Sequence, residues 1–152
     1  MKVNWKNLII SIAIPLAIGA LSALLTRKGM KDFQTINQPP LAPPMWLFPI
    51  VWTCLFVLMG IASYLIIQRD FTLQSLLFYA LQLIFNFFWS IWFFNFGWYL
   101  FSFLWILCLW ALILATTISF YKIYKPAGYL LLPYLFWVTF AAYLNLGIYF
   151  YN

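Results

Sequence analysis

Pro39 to Tyr64, PPLAPPMWLFPIVWTCLFVLMGIASY, is the stretch whose reading decides the fold. Four prolines crowd its first six residues, which neither a helix interior nor a central strand accepts. From Met45 to Gln68 the chain then carries no charged side chain, with Trp46, Pro49 and Trp52 at the leading edge. A membrane-crossing helix needs about 20 mostly apolar residues, and this run exceeds that. The pattern predicts a stiff extended loop feeding a tryptophan-lined helix mouth, as a lid over a cavity whose walls are the other apolar segments.

Composition extends the reading to the whole chain. Of 152 residues 67% are hydrophobic and 7% charged, whereas soluble domains carry about 25% charged residues. Most of the surface must therefore meet lipid, and the chain reads as a multi-pass protein of the cell membrane. There is no His and no Glu, and Asp32 and Asp70 are the only acidic side chains. His-ligated haem and His-containing zinc or non-haem iron sites are excluded, and no metal site is expected. Paired-carboxylate catalysis would need two loop residues, each beside a basic neighbour, to meet. Cys54 and Cys108 lie inside apolar runs and read as inert thiols. The net charge of +6 collects at the ends of the runs, where insertion topology and anionic lipid account for it, so nucleic acid is not an expected partner.

Five segments are long and apolar enough to span: roughly 8–26, 45–68, 73–94, 99–121 and 129–151. The fold class is thus all-α, a single five-helix transmembrane bundle, with residues 27–44 as the lid loop. The runs are continuous and too long for the alternating ten-residue strands of a β-barrel. Lys2 and Lys6 precede the first run in the manner of a signal peptide, but its length favours a retained helix. Five basic residues on the amino-terminal side against three opposite (Arg27, Lys28, Lys31) favour a cytoplasmic amino terminus.

Within the spans, polar and aromatic residues recur at helical spacing. Pro15, Gly19, Ser22 and Thr26 share a face suited to close packing or to a ligand. Trp52, Phe56, Met59 and Ser63 form a stripe on the second span. Ser75, Tyr79, Gln82, Asn86 and Ser90 form the most polar stripe, on the third. An unpaired amide in hydrocarbon costs several kcal/mol, so Gln82 and Asn86 should face the interior. Tyr134, Trp137, Ala141 and Asn145 align on the fifth span, and Trp105, Leu112 and Ser119 on the fourth suit helix packing, including across a dimer. Inward indoles with a buried amide suit a flat, mostly apolar guest, and sterols, porphyrins and aromatic drugs satisfy that description equally. The alternative is that the indoles only fill volume and the amides only join helices.

These residues resemble the tryptophan-rich sensory protein and translocator protein (TspO/MBR) family, once called peripheral benzodiazepine receptors. The likeness runs through PPMWLFPIVW and MGIASYL in the second span, QLIFNFFW, FGW, ATT, and PYLFW with FAAYLN in the fifth. It implies a five-helix bundle, commonly a homodimer, whose first loop covers a ligand pocket. It implies protoporphyrin IX and aromatic drugs such as isoquinoline carboxamides as ligands and, in some bacterial members, light- and oxygen-dependent porphyrin breakdown. On this chain the pocket tryptophans, which would also carry that chemistry, fall on Trp52 and Trp137. The family's span-three amide falls on Asn86, its span-five small residue on Ala141, its Leu-Asn pair on Leu144 and Asn145, and its lid and mouth on Pro43, Pro44 and Phe48. The animal members' cholesterol motif is incomplete: Leu146 stands where it needs Tyr, and no Lys or Arg follows. A passive carrier of tetrapyrroles or lipids, or a ligand-sensing regulatory partner without catalysis, remains the alternative function.

Overall fold

The computed structural model describes residues 2–152. Its apolar helices are α1 (Trp5–Leu25), α3 (Leu47–Ile67), α4 (Leu73–Ser90), α5 (Tyr99–Ile123) and α7 (Leu132–Tyr151), joined through the short α2 (Arg27–Phe33) and α6 (Lys125–Leu130). The five candidate spans run from 21 to 27 residues at mean hydropathies of 1.5 to 2.5. At 1.5 Å per residue each is at least about 30 Å long, enough to cross the hydrocarbon core. The protein is an all-α, multi-pass membrane protein.

Local chemistry sets the helix ends. Asn4 caps α1 by accepting from the Asn7 amide at 3.2 Å. Thr72 and Ser75 form a capping box at the start of α4, with bonds of 3.0 and 3.2 Å. Pro133 occupies the first turn of α7, where its missing N–H has no helical partner to lose. α4 continues into a π-helical turn, Ile91–Asn95, before Gly97 reverses the chain at φ +63°. The segment expected to be loop throughout, 27–44, instead begins with α2. RKGMKDF has no proline, and Met30 and Phe33 fall one turn apart on a face that packs inward, Phe33 against Phe93 and Phe94.

α5 contributes four fully buried core residues, Ile106, Leu109, Ile113 and Phe120, and it packs between α4 and α7. α1 is peripheral and lies mainly along α3. Pro15 deprives the Ser11 carbonyl of its helical donor, and at that level Gly60 of α3 meets Ser11 and Ile12 so closely that a Cβ would collide with the α1 backbone. The indole N–H of Trp105 reaches the Phe85 carbonyl at 2.8 Å, joining α5 to α4. Cys54 and Cys108 are free and on the outside of the bundle, so in the bilayer they face lipid rather than core.

Chain alternation puts α2, the proline-rich loop, the α4–α5 turn and the carboxyl end of α7 at one end of the bundle. There the loop is strapped to α7. The Asn37 amide donates to the Asn152 side-chain oxygen at 3.1 Å, and the Asn152 amide nitrogen returns a bond to the Asn37 carbonyl at 2.9 Å. The Tyr143 hydroxyl donates to the Pro40 carbonyl at 2.8 Å, and Pro39 rests on Gly147 where no Cβ would fit.

Candidate functional site

A cavity of about 450 Å³ lies between α1, α3 and α4 near the loop end of the bundle. Its volume is within the range of roughly 300–1,000 Å³ usual for small-molecule sites. Leu16, Gly19 and Ala20 of α1 line one side, Phe48, Trp52 and Phe56 of α3 another, and Asn86, Trp89 and Ser90 of α4 the third. Met30 of α2, Met45 and Phe94 of the π-helical turn close the end. The lining carries no charge.

Gly19 makes the cavity's floor possible, because the Phe56 ring occupies the place a Cβ would take. Trp52 stands 5.7 Å from Phe56, 6.5 Å from Trp89 and 6.2 Å from Tyr134, measured between ring centroids. Two indoles from separate helices thus stand at 34° to each other. Trp89 is held by its indole N–H, which donates to the Asn145 side-chain oxygen at 3.0 Å, while the Asn145 amide nitrogen donates to the Tyr99 carbonyl at 2.8 Å.

The polar end of the cavity is built from buried amides. The Asn86 amide nitrogen donates to the Tyr134 hydroxyl at 2.7 Å, and that hydroxyl donates to the Gln82 side-chain oxygen at 2.7 Å. The Gln82 amide nitrogen ends the series on the Met59 sulfur at 3.8 Å. Gln82 and Asn86 are 1% and 5% exposed, so the expectation that they face inward holds. Among the described residues no protein group donates to the Asn86 oxygen, which leaves it available at the cavity wall.

Of the candidate site residues named from sequence, Phe48, Trp52 and Asn86 come together at this cavity, joined by Gly19, Ser22, Phe56 and Ser90 from the helical stripes and by Pro49 at the mouth. Trp137 does not line it; its ring packs edge-on with Phe48 at 5.8 Å, and its buried indole nitrogen has no hydrogen-bond partner among the described residues. Ala141, Leu144 and Asn145 are buried in helix packing, and Pro43 and Pro44 stay in the loop without lining the cavity. Trp89 was not singled out, although its signal was present: it follows Asn86 by three positions on the polar stripe of α4. Met30 and Phe94 had no such signal, since α2 and the π-helical turn bring them in.

The chain matches the model of the TspO/MBR family over residues 11–151. It is 37% identical to the tryptophan-rich protein TspO of Chlorobaculum tepidum over 97% of both chains. It is 34% identical to the tryptophan-rich sensory protein of Cereibacter sphaeroides, covering 95% of this chain and 90% of that one. With the translocator protein of Bos taurus it shares 31% identity over 95% of this chain and 89% of that one. With five spans, an aromatic cavity and a match over nearly its whole length, the chain belongs to the TspO/MBR family.

Proposed function

We propose that the protein is a membrane receptor for flat, apolar molecules of the tetrapyrrole and aromatic-drug class, and that it promotes light-dependent oxidation of a bound protoporphyrin IX. The observation that carries the reading is the uncharged cavity bounded by Trp52 and Trp89, with one unpartnered amide oxygen, that of Asn86. Indole faces stack on planar rings, each contact worth about 1 kcal/mol beyond the area it buries. The amide supplies orientation, and a ring too large for 450 Å³ projects through the mouth.

The chemistry asks little of the protein. The bound ring absorbs the light and dioxygen is the oxidant, so no acid, base or metal is required. Trp52 touches the guest and is the reacting indole: it gives one electron to the excited ring and becomes a radical cation. The reduced ring passes that electron to dioxygen, the superoxide formed beside the ring adds to it, and the adduct returns the electron to the Trp52 radical cation, so the ring gains dioxygen and the indole is restored. Trp137 stands one aromatic ring further out, behind Phe48, so it touches no guest in the cavity. Each protomer holds its own cavity, so a homodimer carries two such sites. Purified protein with protoporphyrin, illuminated and in the dark, tests the reading. Trp52→Phe should keep dark binding and lose most of the light-dependent product; native rates in that variant would remove the redox role, and absence of dark binding in the parent protein would remove the receptor.

A second reading, a passive carrier, draws on the position of the mouth. The exposed lining residues Ala20, Ala23, Pro49 and Thr53 all belong to α1 and α3 within their apolar spans. Flux of protoporphyrin into sealed vesicles in the dark distinguishes the two.

A further inference from the structure

We propose that Gln82 and Tyr134 set the hydrogen-bonding sense in which Asn86 meets a ligand: acceptor at rest, donor once the relay behind it reverses. The inference rests on the cavity being a ligand site and specifies which polar groups it takes.

The relay has two self-consistent directions. A tyrosine hydroxyl carries one proton, so it donates to one amide and accepts from the other. At rest that proton goes to the Gln82 oxygen, and Tyr134 accepts from the Asn86 nitrogen. The Asn86 oxygen then faces the cavity and accepts a ligand N–H or O–H. Turning both amides over exchanges their N and O and reverses both bonds to the Tyr134 hydroxyl, while the same side chains stay in contact. Gln82 then donates to Tyr134, Tyr134 donates to the Asn86 oxygen, and the Asn86 nitrogen offers its N–H groups to a ligand carbonyl or carboxyl.

Only one bond distinguishes the two directions inside the protein. At rest the Gln82 nitrogen donates to the Met59 sulfur at 3.8 Å; reversed, the Gln82 oxygen meets that sulfur with nothing to share. A thioether is a weak acceptor, so the preference for the resting sense is small. All four side chains are buried, from Met59 at 0% to Asn86 at 5% exposed. No water replaces a lost partner there, so the relay turns as a unit. Gln82 and Tyr134 are positioning residues: they reach the ligand only through Asn86.

The test uses two nearly isosteric tricyclic probes, carbazole, which only donates, and fluorenone, which only accepts. Their affinities for purified protein in nanodiscs are read by quenching of tryptophan fluorescence. The parent protein should bind both, with carbazole favoured by only about twofold, because reversal for fluorenone loses just the weak Gln82–Met59 contact, worth at most the low end of an ordinary hydrogen bond. Gln82→Leu leaves the Tyr134 proton only the Asn86 oxygen to go to, so the relay stays reversed and fluorenone becomes the tighter probe. Met59→Leu, which conserves core volume, removes the weak sulfur acceptor and shifts the ratio the same way by a smaller factor. General damage lowers both affinities and leaves their ratio alone, so an unchanged ratio in both variants overturns the proposal. If Gln82→Leu does not fold, Met59→Leu decides. Failure of both probes to bind the parent protein defeats the ligand-site reading itself; binding of both with a fixed ratio defeats only the relay.

Discussion

Replacing Asn145 by Leu tests whether the amide of the Leu-Asn pair belongs to the ligand or to the walls. The structure puts it in the walls. Asn145 is 1% exposed, and it accepts from Trp89 of α4 at 3.0 Å and donates to the Tyr99 carbonyl of α5 at 2.8 Å. Leucine keeps the approximate volume and orphans both groups. In a water-soluble reference each orphaned group costs about 1–3 kcal/mol. Bonds between helices in a bilayer average nearer 0.6 kcal/mol, because the separated helices find other partners. Two bonds therefore give an expected loss of about 1–2 kcal/mol. For a chain of this size that corresponds to a fall of roughly 2–8 °C in the unfolding midpoint. The assay is thermal unfolding in detergent followed by circular dichroism, repeated in a Trp89→Phe background. There the indole donor is already gone, so Asn145→Leu should cost less than in the parent protein. An Asn145→Leu protein that melts at the parent temperature but has lost ligand affinity would place the amide in the cavity and refute the reasoning.

Two further predictions come from the packing around the cavity. Gly60→Leu drives a side chain into the α1 backbone at Ser11 and Ile12; overpacking of this kind costs about 1–3 kcal/mol, and because the α1–α3 seam is a cavity wall, ligand affinity should fall with the unfolding midpoint. Trp89→Phe should weaken a stacked tetrapyrrole by about fivefold, the worth of one aromatic contact, whereas Trp137→Phe should leave dark affinity within about twofold. Fluorescence titration in the dark measures both, and equal losses in the two variants would mean that Trp137 reaches the ligand.

The spans were legible because hydrophobic run length and helix geometry are both local properties. The short separations between the last four segments, 45–68, 73–94, 99–121 and 129–151, leave room only for antiparallel neighbours, and the stripe Ser75–Tyr79–Gln82–Asn86 marked the buried face of α4, since amides in hydrocarbon must turn inward. The identity of the cavity walls was less legible, because it depends on which inward faces meet. Trp52 and Trp137 both point into the bundle from their own helices, but Phe48 stands between Trp137 and the space Trp52 borders. Periodicity assigns a side chain to a face and not to a neighbour. The π-helical turn was invisible for a related reason: one extra residue in IWFFN shifts every later side chain, and Phe94 comes to the cavity through that shift.

The proline-rich stretch shows how a correct local reading can lead to the wrong neighbour. Its prolines keep helix out, but the chain turns at Pro40–Leu41 instead of staying extended: the Ala42 amide donates to the Pro39 carbonyl at 3.3 Å and Leu41 takes φ +68°, and the loop's longer-range hydrogen bonds go to α7, through Asn37 to Asn152 and Pro40 to Tyr143. The cavity opens elsewhere. The exposed residues of its lining, Ala20, Ala23, Pro49 and Thr53, are small or short and sit between α1 and α3. They lie within one or two turns of the loop-side helix ends, inside segments that cross the bilayer. On the function proposed above, an apolar guest already concentrated in the membrane would reach Trp52 by sliding between two helices, without first entering water. The seam it must pass is the one that Gly60 holds closed near its middle and Gly19 keeps thin near the cavity. Small residues there serve two ends at once: they let α1 approach α3 closely below the cavity, and they keep the exposed part of the cavity wall thin.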